Sequence, residues 1–306
     1  MFEKVFVITR KTRLAELVER FNTVGQARFY IEHAGGNFGE YEREDAVYRS
    51  AVEETRRSLP SEHKVHALDR SLVPTVLFTQ KDLIVTLGQD GVVANTAKYV
   101  KGQPIIAVNP DPERFDGILM PFLPTDVRGA IAAVLGGKEH MREVTMAEAR
   151  LQDGQRILAF NDLFIGASSH VSARYKITLQ GKAEYQSSSG ILVSTGAGST
   201  GWISSVFNMA RGLATAMGGT TLERIHMDWE DPRLFFVARE PFISRHSTAD
   251  LVTGWIGNGE ELLVESTMPS GGCVFSDGIE ADSVEFNSGA ILHVQRSAEK
   301  ARLVIA

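Results

Sequence analysis

The 306 residues include 43% hydrophobic and 23% charged side chains, a formal net charge of −6 and one cysteine, Cys273. At roughly 100–200 residues per domain, the length favours two domains with enough apolar material for sizeable cores. The charge excludes a broad basic face, so no nucleic-acid partner is expected, although a local basic pocket for a phosphate stays open; a lone cysteine excludes an internal disulfide framework and a cysteine-based zinc cluster.

In chain order, residues 5–9 form a short apolar run. Leu14, Leu17, Val18 and Phe21 recur at helical spacing and predict an amphipathic helix over 12–23. Residues 40–59 are highly charged and predict a solvated helix ended by Pro60. Strands are predicted at 65–68, 83–87 and 105–108, with a Gly turn and helix formers between the last two. Strand, turn, helix, strand is a βαβ unit. Residues 1–125 are therefore expected to form an α/β N-terminal domain with a mostly parallel sheet, carrying the Gly turn. A helix is predicted over 126–137. The pattern then changes to short strands at 142–151, 156–165, 172–180, 189–195, 234–240, 261–267, 273–277, 283–287 and 290–296, separated by turns such as Gln180-Gly181. One helix, about 201–217, interrupts them. Residues 126–306 are expected to form a β-rich C-terminal domain, whose last strands return toward the first. No run approaches the ~18–20 apolar residues of a membrane span. The first 13 residues are too short and polar for a secretion leader. With cysteine usage suited to a reducing compartment, a cytoplasmic chain without a membrane partner is expected.

Four motifs could carry chemistry. Gly88-Gln89-Asp90-Gly91 sits where a strand ends and a helix begins. That edge of a parallel sheet is where α/β proteins bind ligands, and the free N–H groups of a helix N-terminus suit a phosphate. Asp90 is then odd, because a carboxylate repels phosphate; a plain capped turn is the other reading. The loop from Ser194 to Trp202 holds three glycines among hydroxyl residues and matches G-x-G-x-x-G, with Glu223 at the spacing of a dinucleotide-binding acid. A Gly-rich turn without function would look the same. Asn161-Asp162 follows a strand and suits ribose hydroxyls or an adenine edge, or is a polar turn. Asp277-Gly278 lies between late strands and reads as a hairpin turn. His63 and His66 lack a third nearby ligand, so no zinc site is expected.

The order of these motifs resembles the NAD kinase family: GxDG after a strand, Asn109 about 20 residues on, Asn161-Asp162, the Ser/Thr/Gly loop, then Asp277-Gly278. The match spans about residues 83–290. Several details resemble its mitochondrial-type branch: the run from Val108 to Arg114, Ser188-Ser189-Gly190, Trp202, and Arg239-Glu240-Pro241-Phe242. The resemblance implies a two-domain fold and ATP-dependent phosphorylation of the 2′-hydroxyl of NAD's adenosine ribose, assisted by Mg²⁺ that arrives with ATP rather than on a dedicated protein site. It implies Asp90 as general base. It places Gly88, Gln89, Gly91, Asn109, Asn161, Asp162, Thr195, Gly196, Gly198, Ser199, Thr200, Gly201, Trp202 and Asp277 at the nucleotides. NAD and ATP are then the small-molecule partners, and a homodimer is expected.

The sequence departs from the family pattern in three ways. Gln89 replaces a second glycine before Asp90, Ser189 replaces an Asp before Gly190, and the chain ends on a strand-like Leu-Val-Ile-Ala. Gln89 motivates an alternative, a dinucleotide-binding protein with impaired catalysis. A diacylglycerol-type lipid kinase, which shares a GGDG-like turn, is a further alternative. An NAD-linked oxidoreductase would need a parallel βαβ unit around Gly196.

Overall fold

Residues 82–87 and 104–108 are apolar almost without a break, which suits strands covered on both faces. The computed structural model buries every residue of both. It describes residues 2–220, 223 and 225–305. Met1 and Ala306, the outer ends of the two expected domains, lie outside the described residues, as do Thr221, Leu222 and Arg224. Two units form: residues 1–142 with 302–306, and residues 143–301.

The first unit contains β1 (Lys4–Thr9), α1 (Arg13–Phe21), α2 (Val24–His33), α3 (Phe38–Ser58), β2 (Lys64–Asp69), β3 (Asp82–Leu87), α4 (Asp90–Ala97), β4 (Pro104–Val108) and α5 (Val127–Leu135). The strands pair in the order β2-β1-β3-β4, all parallel, and Arg302 and Leu303 add parallel to β4. Val7, Leu83, Val85 and Ile106 share a core with Tyr48 and Ala51 of α3 and Ile131 and Val134 of α5. Each such aliphatic side chain stabilises the fold by about 1.5–3 kcal/mol. The helix expected over 12–23 stops at Phe21. Asn22 turns left-handed at φ 65°, and Thr23 caps α2 by accepting from the Gln26 N–H. Asn37 caps α3; Leu59 is extended because Pro60 disfavours helix before it.

The second unit contains most of β5 (His140–Leu151), then β6 (Arg156–Ala159), β7 (Asp162–Ala167), β8 (Ala173–Leu179), β9 (Lys182–Ser188), β10 (Ile191–Ser194), α6 (Trp202–Ala216), β11 (Leu234–Ala238), β12 (Thr253–Ile256), β13 (Leu262–Ser266), β14 (Gly272–Ser276), β15 (Ile279–Glu285) and the body of β16 (Ile291–Ile305). One antiparallel sheet runs β12-β11-β10-β7-β14-β15. In the other, β16, β13, β8 and β9 are neighbours, with β5 on β16 and β6 on β5. Ile165, Val193, Phe236 and Val274 from the first meet Tyr175, Ile177, Val264 and Val294 from the second in one core. The architecture is therefore a mostly parallel α/β unit followed by a β-rich unit, the fold class expected from the sequence.

Some expected elements change. The single strand expected over 156–165 is two, β6 and β7, broken at Phe160 and Asn161 because the Asp277 carboxylate captures the backbone there. β10 has antiparallel neighbours on both sides, so no parallel βαβ unit surrounds Gly196 and the oxidoreductase alternative falls.

Candidate active site

At the end of β3 the chain turns through Gly88 and Gln89 into α4. Gly88 is needed for packing: a Cβ there would stand 2.7 Å from Val92 Cγ2 and 3.6 Å from Arg10 Cδ. Gln89 is the N-cap, is exposed, and its side chain does not cap the helix. Asp90 is the first helical residue and is half-buried. Its Oδ1 accepts the Leu119 N–H at 3.0 Å. Burial pushes the carboxyl above the ordinary aspartate range. The N–H groups of Leu119 and Ile118 pull the other way, and the charge of Asp116 adds to the rise. The result is an oriented carboxylate of raised basicity at the C-terminal edge of the sheet.

Asn109 builds the loop that supplies those N–H groups. It is buried; its Nδ2 donates to Phe115 O at 3.0 Å, its Oδ1 accepts the Asp111 N–H at 3.1 Å, and its own N–H bonds Phe122 O at 2.8 Å. Gly117, at φ 64°, lies so close that a Cβ would be 2.5 Å from Asn109 Nδ2. Asn109 thus acts on Asp90 through residues 110–119.

In the second unit, Asn161 and Asp162 form the corner between β6 and β7. The Asp277 carboxylate accepts the N–H groups of Phe160 at 3.0 Å, Asn161 at 2.6 Å and Asp162 at 3.2 Å. Thr195, fully buried, donates its hydroxyl to Phe160 O at 2.6 Å, and its N–H bonds Asn161 O at 2.9 Å. Its Oγ1 also accepts the Gly198 N–H at 3.2 Å. The Gly-rich loop packs backbone to backbone against this corner: a Cβ on Gly198 would sit 2.1 Å from Asn161 O, and one on Gly196 1.8 Å from Asp228 O. Ser199 is buried, whereas Thr200 and Gly201 are exposed and Trp202 is half-buried. The structure brings Asn161, Asp162, Thr195, Gly196, Gly198 and Asp277 into one cluster. Among the described residues, nothing bonds the side-chain amide of Asn161, which leaves it for a ligand.

Beside the loop lies a cavity of about 600 Å³ lined by Phe164, Phe275, Trp202, Ser189, His170 and Arg239, among others. Phe164 stacks on Trp202 with centroids 5.8 Å apart and on Phe275 at 4.9 Å; the Arg239 guanidinium lies 5.3 Å over the Trp202 ring. Aromatic walls with a cation and hydroxyls suit a flat heteroaromatic ring. Gly190 makes room for this wall. It has φ 104°, and a Cβ would be 2.8 Å from the Phe164 ring. Phe275 opens the Asp277-Gly278 turn motif of the sequence; Phe164, two strand positions after Asp162 on the face opposite the core, carries no sequence signal of its own. Among the described residues no three His, Cys, Asp or Glu side chains gather to hold a metal ion.

No protein-family model matches the sequence. The mitochondrial NAD kinase 2 of Xenopus tropicalis is 24% identical over 379 aligned positions, covering 95% of this chain and 87% of that protein. The NAD kinase of Chlorobium phaeobacteroides is 30% identical over 130 residues, 40% of this chain and 44% of that protein. The chain is similar to NAD kinases along nearly its whole length. The fold agrees. A yeast NADH kinase solved with NADH superposes at TM-score 0.56 and 16% identity, over all of this chain and 84% of that one. An Archaeoglobus fulgidus NAD kinase solved with ATP gives 0.55 and 15%, over 98% and 92%. In this chain the first unit carries the acidic turn, and the second carries the Asn-Asp corner, the Gly-rich loop and the aromatic cavity.

Proposed function

We propose that the chain transfers the terminal phosphoryl group of ATP to the 2′-hydroxyl of the adenosine ribose of NAD or NADH, giving NADP or NADPH and ADP. The observation that carries this reading is Asp90, a carboxylate fixed by a backbone N–H and made more basic by burial. A ribose hydroxyl is a poor acid and attacks well only when a positioned acceptor takes its proton. Asp90 is that acceptor. Phosphoryl transfer otherwise depends on alignment and charge neutralisation rather than on a covalent enzyme nucleophile.

Gly88, Gln89 and Gly91 border the donor phosphates, where the first N–H groups of α4 are free to bond them. Asn109 keeps Asp90 in place through its loop. Asn161 and Asp162 hold the adenosine part of the dinucleotide, with Thr195 and Asp277 shaping their corner. Gly196, Gly198 and Ser199 form the buried side of the loop; Thr200, Gly201 and Trp202 face the dinucleotide. A divalent ion such as Mg²⁺ would enter on the phosphate oxygens of ATP and offset their charge near Asp90. Two copies associate as a homodimer, and the protein is cytoplasmic; recovery with the membrane fraction would overturn that location.

Incubating the purified protein with ATP, Mg²⁺ and NAD or NADH tests the reading. Phosphorus NMR should show a new monoester on the 2′-oxygen; no product with ATP or inorganic polyphosphate removes it. Gln89 favours a second reading, in which the dinucleotide is bound without turnover, because its exposed side chain occupies the turn where the family has glycine. Tight NAD binding without product, with activity gained in Gln89→Gly, would select that reading.

A further inference from the structure

The carboxylate of Glu44, on α3, is 4% exposed and meets three arginines: Arg10 Nη2 at 3.0 Å, Arg13 Nε at 2.6 Å and Arg114 Nη1 at 3.0 Å. Burial alone would raise its carboxyl. The hydrogen bonds and charges of Arg13 and Arg10 outweigh burial and hold it below the ordinary glutamate range. Glu44 is therefore ionised, and one negative charge faces three positive ones. The surface beside it is mixed. Arg43 pairs with Glu113 at 2.7 Å, and Glu40 and Asp111 line the same hollow.

Arg10 differs from these surface charges. Its side chain is only 7% exposed, yet among the described residues its Nε has no acceptor. Arg13 Nη2, on the same carboxylate, is also without one. A buried guanidinium with a free donor is costly unless a ligand completes it. Its position says which ligand. Arg10 follows β1, and its backbone N–H donates to the Tyr48 hydroxyl at 2.9 Å, which donates in turn to Leu87 O at 2.9 Å. Tyr48 thereby fixes Arg10 beside the end of β3. Arg10 Cδ, the atom bonded to the free Nε, lies 3.6 Å from where a Cβ on Gly88 would stand. The unpaired donor thus borders the turn that opens α4, where free N–H groups already favour an anion.

We propose that Arg10 binds the phosphate chain of the phosphoryl donor, with Glu44 and Tyr48 as the residues that position it; this rests on the phosphotransferase reading above. The ligand chemistry is a linear phosphate chain, whether a nucleoside triphosphate or inorganic polyphosphate. Arg114 is the comparison, since it bonds the same carboxylate from an exposed side chain.

Arg10→Gln should raise KM for ATP about 10–100-fold, the loss expected for one charge-assisted phosphate contact, while KM for NAD moves less than about twofold. Arg10→Lys should recover part of the loss. Arg114→Gln should leave both constants within about threefold. An unchanged KM for ATP in Arg10→Gln, or ATP and NAD constants rising together, overturns the proposal. Calorimetric titration of the full chain with tripolyphosphate and with ATP separates the two failures, because it needs no turnover. Wild type binding either ligand at least about tenfold tighter than Arg10→Gln upholds the phosphate role even if no NADP is formed. Equal binding, or none in wild type, rejects it. If ATP alone shows the difference, the donor is the nucleotide rather than polyphosphate.

Discussion

Asp277 turns a corner far from its own place in the chain. At φ 51°, followed by Gly278 at φ 71°, it forms the hairpin turn between β14 and β15, as its sequence suggests. Its carboxylate, however, is spent on three backbone N–H groups at Phe160, Asn161 and Asp162. Each hydrogen bond to a charged group contributes about 1.5–3 kcal/mol, and the three are not additive. Asp277→Ala should therefore lower stability by about 3 kcal/mol in urea unfolding and weaken NAD binding while leaving KM for ATP unchanged; an unchanged midpoint would remove this role. The motif residues were legible because their types are unusual at strand ends: Gly-x-Asp-Gly, Asn-Asp, Asp-Gly. Glu44 and Arg10 were not. Each looks like one more charge on a charged segment, and only the folded chain shows that both are buried together.

At the scale of elements, legibility followed burial. β3 and β4, covered on both faces, stood out as apolar runs. β9 and β12 are edge strands and did not. β9 reads Lys-Ala-Glu-Tyr-Gln-Ser-Ser, and β12 has only four residues including Gly254, where a Cβ would be 2.8 Å from the Phe236 ring. Edges need fewer apolar side chains, so they lose the alternation that marks a strand. α2 buries only Ala27 and Ile31 and left no helical stripe. α6 was legible and has a second face. Ile203 is buried and packs with Val206 and Phe207 against the sheet, while Met209 and Leu213, four residues apart, and Met217 beyond the end are exposed. Phe242 and Ile243 are exposed as well. These apolar side chains are what a second copy would cover in the proposed homodimer. Sedimentation equilibrium should give twice the chain mass for wild type and a monomer for Leu213→Glu; a wild-type monomer at micromolar concentration contradicts the dimer.

At the scale of the molecule, the motifs fall in both folded units: Asp90 and its turn at the end of the parallel sheet, and the Asn-Asp corner, the Gly-rich loop and the aromatic cavity in the β-rich unit. A chain of net charge −6 still gathers Arg10, Arg13 and Arg114 around one buried carboxylate. In the proposed reaction Asp90 is the base, and the rise of its carboxyl has a definite consequence. Because the folded value lies above the unfolded one, ionising Asp90 costs stability as pH rises through the folded value, and the same ionisation creates the base. The most direct measurement is kcat/KM for NADP formation against pH in wild type and Asp90→Asn, with NAD affinity measured alongside. Wild type should gain activity through a carboxylate step above the ordinary aspartate value of about 3.9, and Asp90→Asn should lose about 10²–10⁴-fold while binding NAD as before. A variant within about tenfold of wild type, or one that keeps the same step, would contradict the assignment of Asp90 as the base.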